Sequence, residues 1–467
     1  MSNRGLWLCL VAIAGCDGGV GGHADKSNPD GAADTDVFDP TVNFQRDVRP
    51  LMERDCLECH KPGGIAPIDF TYNAADWADG ATPDWVSVAA AAVASGAMPP
   101  WPADETCRSL ENSRKLSDAD KQVYADWATS GFQVGREQDY APPTNTHALR
   151  PDGLRDADMI LSSAEGWKPS TENPDEYRCF LLGDTVPEDL YISGVEVVPD
   201  DTTVVHHAIL YQYLPQQSDD IARLREQDEA DPGPGYDCWG NPPADTFAAW
   251  APGQIGEFLP DGIGHYAPQG AQWVLQIHYN TLGHDPATVR ADHTAVHIWT
   301  YGPDDTPEEL RVSIPVPNTD LNIVAGDPAA VEDFNFDLSF ISDYTELLGD
   351  VPVVGVMGHM HQLGTSLELS LDYADRSECL LRIPDWDFAW QMRYTFPESE
   401  WLSVSDAKSI HLTCGYDNSA ENQIVVNGTR LEPRDVHWGE STRDEMCLAY
   451  VQVQAPTLLV KLLLSSF

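Results

Sequence analysis

Apolar residues change their period near residue 150. From Asn43 to about Gly135 the spacing is helical. Phe44 to His60 repeats apolar positions every three or four residues. Asp84–Ala97 is an Ala/Val-rich run stopped by Pro99-Pro100. Ser117 stands as an N-cap before Asp118–Ser130, which ends at Gly131. Asp139–Asn145, with two prolines, reads as a linker. Beyond Arg150 the apolar residues alternate in short runs: Leu190–Val198, Val204–Tyr213, Trp273–Tyr279, Thr294–Tyr301, Ser366–Tyr373, Ser409–Cys414 and Leu448–Gln454. Turns rich in Pro, Gly and Asp separate them, which predicts β-sandwiches. This part of the chain, roughly 310 residues, exceeds one small sandwich. Two in tandem are expected, with a break near Pro303–Glu308. The apolar tail Leu458–Leu464 is expected to be a closing strand.

Composition supports a multidomain chain. At 467 residues, with 42% hydrophobic content and 14 Trp, it can build more than one core. Charge is lopsided: 27 basic against 75 acidic residues, a net −48. Such a surface repels nucleic acid and anionic lipid, so no nucleic-acid partner is expected, and it serves solubility. The N-terminus resembles a bacterial lipoprotein leader. Gly5–Gly15 is a short apolar run behind Arg4, and Ile13-Ala14-Gly15-Cys16 ends it, with Cys16 as the lipidation site. An ordinary signal peptide with an incidental Cys is the alternative. Either reading exports the chain, with a lipid as its only membrane contact in the first. Asp17 to Pro40, rich in Gly, Asp, Ser and Ala, reads as a flexible tether.

The ten cysteines then sort by place. Cys9 goes with the leader and Cys16 with the lipid. Cys56-Leu57-Glu58-Cys59-His60 has the form of a c-type haem attachment site. Two thioethers would hold the porphyrin, and His60 would lie beneath the iron. Met98, in Ala97-Met98-Pro99-Pro100-Trp101, is the candidate sixth ligand, since a thioether raises the potential. A zinc or dithiol site at the two cysteines, and a core role for Met98, are the alternatives. Asn43–Gly135 resembles the small cytochrome c domains that precede various bacterial oxidoreductase domains. Six cysteines remain (107, 179, 238, 379, 414 and 447), enough for up to three disulfides, and sequence leaves their pairing open.

Three His-bearing strands follow residue 200. They are Val204-Val205-His206-His207-Ala208-Ile209-Leu210, Leu275-Gln276-Ile277-His278-Tyr279 and Gly358-His359-Met360-His361-Gln362-Leu363-Gly364. A fourth piece is Asp444-Glu445-Met446-Cys447. On a strand His359 and His361 project from one face. Two imidazoles with a Met thioether favour copper. His206 and His207 face opposite ways on a regular strand, so the strand must bulge or end there, or the rings must bind through different nitrogens. Each piece alone says little, and an isolated His-His is commonly one core and one surface residue.

In this order the four motifs resemble the copper type II monooxygenases, the family of peptidylglycine α-hydroxylating monooxygenase and dopamine β-monooxygenase. The resemblance runs from about Asp158 to Val453. It implies two successive jelly-roll sandwiches carrying one copper each. His206, His207 and His278 would hold the electron-transfer copper, and His359, His361 and Met446 the oxygen-activating copper. It also implies disulfides Cys414–Cys447 and Cys179–Cys238, with Cys107 and Cys379 left without an obvious partner. The aromatic residues of Asp385–Gln391, a segment common in bacterial members, are expected in the core. His265, His293, His297, His411 and His437 are expected to be structural or on the surface.

The full expectation is a leader (1–16), a linker (17–42), a small all-α cytochrome c-like domain (43–138) and two tandem all-β copper domains (150–305 and 308–467). The expected activity is hydroxylation of a C–H bond of a small organic substrate with O₂. Electrons would come through the haem, from ascorbate, or from another external donor. An exported haem- and copper-carrying electron-transfer protein is the alternative. In the peptide-amidating enzyme an Arg binds the peptide carboxylate where this chain has Met357, and an Asn contributes where it has Leu448. Tyr450 matches the family's substrate-side Tyr. Glycine-extended peptides are therefore expected to be poor substrates, and a neutral or apolar molecule a better one.

Overall fold

The computed structural model describes residues 41–464 except 58, 63–65, 67, 112, 144–152, 164, 174, 239–243, 252–253, 255, 283, 340–348, 389, 427–428, 440 and 442. Cys16 and the expected leader and tether lie outside the described residues.

Three short α-helices come first: α1 Arg49–Asp55, α2 Trp85–Ser95 and α3 Asp118–Thr129. Their limits follow local chemistry. The Ser117 side chain caps α3 by accepting from the Asp120 N–H. Gly96, at φ +76°, ends α2 in the left-handed region that glycine reaches freely. Phe44, Val48, Tyr124 and Trp127 meet in a small apolar cluster.

Strands of the first β half are β1 Asp175–Leu182, β2 Leu190–Val198, β3 Val205–Tyr213, β4 Asp245–Trp250, β5 Ile263–Ala267, β6 Gln272–Asn280 and β7 Ala295–Thr300. The main strands of the second are β8 Glu309–Pro317, β9 Ala330–Asp337, β10 Pro352–His359, β11 Gly364–Asp372, β12 Ser377–Ile383, β13 Arg393–Thr395, β14 Ser409–Tyr416 and β15 Leu448–Pro456. In the first half β1, β6, β3 and β4 lie side by side. β6 has strands on both sides; Leu275 and Ile277 face the core of this half and Val274 packs with Ile221 and Leu224 of the helix Ser218–Ala230, so eight of its nine residues are buried. In the second half β9, β14, β11 and β12 form a four-stranded sheet. Its edge strand β9 alternates half-buried and exposed residues along its whole length.

A ten-stranded sheet backs both halves. Its path runs Met159–Ser162, β7, β2, β5, β8, β15, β10, β13. The crossing point is a parallel pairing of β5 with β8, Ile263 opposite Glu309 and Gly264 opposite Leu310. One core, including Leu210, Leu275, Ile192 and Ile298, fills the first half. A second, including Val353, Leu369, Leu412 and Val451, fills the other. Each such side chain contributes about 1.5–3 kcal/mol by leaving water.

The expected fold class is corrected at its N-terminal part. The chain is mostly β, 35% strand against 19% helix, and no separate all-α cytochrome domain is evident among the described residues of its N-terminal part. Its three early helices have 7, 11 and 12 residues, and the segment between α2 and α3 docks on the second β half. There the Asp104 N–H donates to the Arg382 carbonyl at 2.8 Å and the Glu111 N–H to Thr395 at 2.7 Å. Arg108 donates to the carbonyls of Cys379 and Glu400, and Cys107 and Cys379 are disulfide-bonded. In the β portion each half keeps its own core, and the short parallel pairing of β5 with β8 makes one sheet continuous between them.

Two smaller expectations also change. The tail is not a strand but a helix, α5 Thr457–Leu464, in which Leu459 and Val460 are buried while Leu458 and Leu462 face solvent. A further helix, α4 Ser218–Ala230, lies in the stretch read as all-β, burying Ile221 and Leu224 one turn apart.

Candidate metal centres on a shared cavity

β3 solves the adjacent-histidine problem with a bulge. Its pairing with β6 shifts register between Val205 and His207, so His206 is the extra residue and His207 lies opposite His278. The Nδ1 atoms of His206 and His207 are then 3.2 Å apart, and those of His207 and His278 are 3.4 Å apart. Ligating nitrogens of all three lie within 4.8 Å of one another. Ligands at about 2.0–2.1 Å from a tetrahedral ion stand about 3.3–3.4 Å from each other, so the residues present fit a bound ion.

The protons are placed to match. His278 Nε2 donates to a carboxylate oxygen of Asp175, the first residue of β1. Its Nδ1 is left as a lone pair aimed at the other two rings. Burial, with the neighbouring imidazoles adding to it, lowers the pKa of His206 to about 3 and that of His207 well below its ordinary value. His206 and His207 are therefore neutral, with a ring nitrogen lone pair each.

β10 ends at His359, and His361 follows just beyond the strand. Both rings use Nδ1 as a donor, His359 to the Gln391 side-chain oxygen and His361 to the Asp444 carbonyl at 3.0 Å. The two Nε2 atoms are left as lone pairs on rings whose centroids are 5.2 Å apart. Burial lowers these imidazoles to about 4 and about 3. Met446, 3% exposed, lines the same cavity. Behind it the fully buried Glu445 accepts from the backbone N–H of Leu363, His361 and Met446 at 2.6, 2.8 and 3.3 Å. That carboxyl ties the loop of His361 to the segment of Met446, and burial pushes it up to about 8 against those three donors. The Cys414–Cys447 disulfide fixes the neighbouring residue, and Cys179–Cys238 braces β1 in the first half. Two imidazoles and a thioether form a soft donor set suited to copper.

Both histidine groups open on one cavity of about 230 Å³. Phe388 sits between them, stacked at 5.0 Å on His206 and edge-on at 6.1 Å to His361. The expectation that aromatic residues of this segment are core holds for Trp386, which is 8% exposed. It does not hold for Phe388, which is a wall of the site. Tyr450, Met357 and Leu448 line the cavity too. The pairing of β10 with β15 sets Met357 opposite Tyr450 and His359 opposite Leu448.

The far end of the cavity is ionic. Glu257, 8% exposed, meets Arg393 at 2.7 Å, Arg311 at 3.0 Å and His265 at 3.1 Å. Among the described residues, Arg311 keeps its Nε buried without a hydrogen-bond partner, and the Gln452 side-chain oxygen is in the same condition. Each such group costs about 1–3 kcal/mol until something satisfies it. His265, expected to be structural or on the surface, thus belongs to this cluster.

The Cys-x-x-Cys-His segment follows α1. Cys56 and Cys59 are not joined to each other, and the His60 N–H donates to the Cys56 carbonyl at 2.9 Å, one turn back. His60 Nδ1 donates to the Ile68 carbonyl at 2.8 Å and its ring stacks on Phe70 at 4.0 Å, leaving Nε2 as the ligating nitrogen. These groups fit a covalently attached haem on one face. Met98 lies half-buried just past α2, at a cis peptide bond to Pro99.

All three disulfides found among the described residues belong to an oxidising compartment, so the chain is an exported protein. No family model and no curated protein matches it. Among solved structures it is similar to a candidate secreted protein from Eubacterium rectale, at 9% identity and a TM-score of 0.17, over 62% of this chain and 73% of that one. Another, from Parabacteroides distasonis, gives 10% and 0.17 over 65% and 92%. The triple jelly roll of an archaeal virus turret gives 8% and 0.14 over 65% and 58%. Likeness at this level carries no argument about activity, so the reading of the site rests on its own residues.

Proposed function

We propose that the chain is an exported copper-dependent monooxygenase that hydroxylates a C–H bond of a small organic molecule. One observation carries the reading: two groups of histidines, one with a thioether beside it, open on the same small cavity with a single phenyl ring between them. His206, His207 and His278 would hold one copper, and His359, His361 and Met446 the other. Copper, when bound, supplies the one-electron chemistry that makes dioxygen competent to attack a C–H bond. Placing one oxygen atom in that bond and releasing the other as water consumes two electrons from an outside reductant.

The chain's own residues supply position and shape. Asp175, Gln391 and the Asp444 carbonyl hold protons on the remote ring nitrogens so that the near ones face the cavity. Phe388 stands between the histidine groups, in ring contact with His206 and His361. Tyr450, Met357 and Leu448 form the substrate wall. Cys56, Cys59, His60 and Met98 would hold a haem, which would supply one-electron transfer, with ascorbate or a similar reductant upstream. Cys16 would carry the lipid that anchors the chain.

Copper and haem content of the purified mature protein, with oxygen uptake on adding ascorbate, tests this reading. The expected result is two coppers and one haem per chain, and one copper with uptake lost in both His207→Ala and Met446→Ile. Full copper loading with no oxygen uptake under any reductant would leave an electron-transfer protein instead.

A further inference from the structure

The ionic end of the cavity has a donor set that no protein group completes. Arg311 on β8 is buried beside Glu257, yet its Nε donor meets no acceptor among the described residues. The Gln452 side-chain oxygen, buried on β15, meets no donor. Both residues line the cavity, as do Arg393 and Glu257. Two guanidinium groups against one carboxylate leave a local excess of one positive charge. Asp245, the other acidic residue in the wall, is exposed on β4. Gly355 leaves room for the Gln452 amide itself, since a Cβ there would lie 2.7 Å from the Gln452 oxygen.

Strand register fixes where this end lies. Arg393 pairs with Met357 across β13 and β10, and Gln452 pairs with Gly355 across β15 and β10. Met357 and Gly355 are two and four residues before His359. At about 3.4 Å per residue, the polar end is roughly 7–14 Å along the sheet from that histidine. The wall between carries Tyr450 and Met357 and reaches Leu448 beside the histidine.

We propose that Arg311, with Arg393 and Gln452, forms a head-group site for a small molecule bearing one carboxylate, whose apolar remainder extends toward His359 and His361. A carboxylate oxygen accepts from the orphaned Nε of Arg311, its charge offsets the local excess, and the Gln452 amide turns to donate from its nitrogen. This names the substrate class of the proposed oxygenase and rests on that reading for its catalytic meaning. It replaces the sequence-based expectation of a neutral or apolar substrate. The carboxylate contact predicted here lies on β8, β13 and β15, and not at position 357.

Binding is measured by calorimetry on the full chain stripped of copper, using octanoate, octanamide and octylamine as probes. This separates the head-group site from the oxygenase reading, which copper loading and oxygen uptake test independently. The expected result is that octanoate binds at least tenfold more tightly than the amide or the amine. Arg311→Gln should weaken octanoate at least tenfold and leave octanamide within about threefold. Glu257 keeps Arg393 as a partner in that variant. If Arg311→Gln does not fold, Arg393→Gln carries the same comparison, and if neither folds, the preference of the unaltered chain for acid over amide decides. Equal affinity for the three probes, or octanoate binding unchanged in a folded Arg311→Gln, overturns the proposal.

Discussion

At the scale of single residues, the site depends on groups that never touch the proposed ion. Asp175 fixes which nitrogen of His278 is free, and replacing it by Asn leaves that choice open. Asp175→Asn should weaken copper at the first site by about 10–100-fold while the second site keeps its affinity. Competition with a calibrated chelator, read at each site by electron paramagnetic resonance, checks this. The ligand candidates themselves were legible in sequence, because His-His, Gln-x-His, His-x-His and Glu-Met-Cys are local patterns. The need for a bulge at His206 also followed from the period of a strand alone. Asp175 was not legible, since it lies 103 residues from the ring it orients. The same holds for Gln391, Arg311 and Arg393, whose roles arise only when β8, β10, β13 and β15 are set side by side.

Elements were legible where period and punctuation agreed. Leu190–Val198 is a strand with those limits, and α3 begins after its Ser cap as expected. The tail misled because Leu458–Leu464 is apolar throughout, and a short apolar run does not distinguish strand from helix. α4 carried its own signals, Asp219 and Asp220 in the first turn and Ile221 and Leu224 on one face, in a stretch otherwise dominated by alternation. The segment between α2 and α3 was the least legible. Its Cys107 finds Cys379 across 272 residues, and nothing local announces that. Breaking this link frees a very long loop in the unfolded chain. The double variant Cys107→Ser, Cys379→Ser should lose about 2–5 kcal/mol in stability. Limited proteolysis should then cut between Trp101 and Leu116, where the intact protein should resist, and a denaturant titration gives the energy.

At the scale of the whole molecule, the two halves are held by an ion cluster as well as by a sheet. Burial raises the Glu257 carboxyl, but Arg393, His265 and Arg311 outweigh it and hold the group well below the ordinary carboxylate range. A carboxyl lower in the folded than in the unfolded chain stabilises fully above its unfolded value, about 4.3, and loses that contribution as pH falls through its folded value. The urea midpoint should therefore drop on acidification below about pH 4. Glu257→Gln should flatten that part of the profile and cost about 3–5 kcal/mol at neutral pH by leaving buried guanidinium groups unpaired. The net charge of −48 adds to the acid response in the opposite sense, since protonating surface carboxylates relieves their mutual repulsion. The variant comparison isolates the cluster.

The C-terminal helix completes the tie between the halves. α5 leaves β15 in the second half, yet Lys461 reaches Asp189 at 2.7 Å and the Tyr191 hydroxyl at 3.1 Å in the first, and Gln216 donates to the Leu464 carbonyl. With the β5–β8 pairing and the Glu257 cluster, this gives three independent fastenings around one cavity. A clamshell enzyme swings two lobes shut on its ligand and pays for selectivity with motion. Here the lobes are bolted, so the gap between them is a fixed gauge. On the proposed function, molecules would be sorted by whether they pass it, and the two histidine groups would stand at a set separation before anything enters.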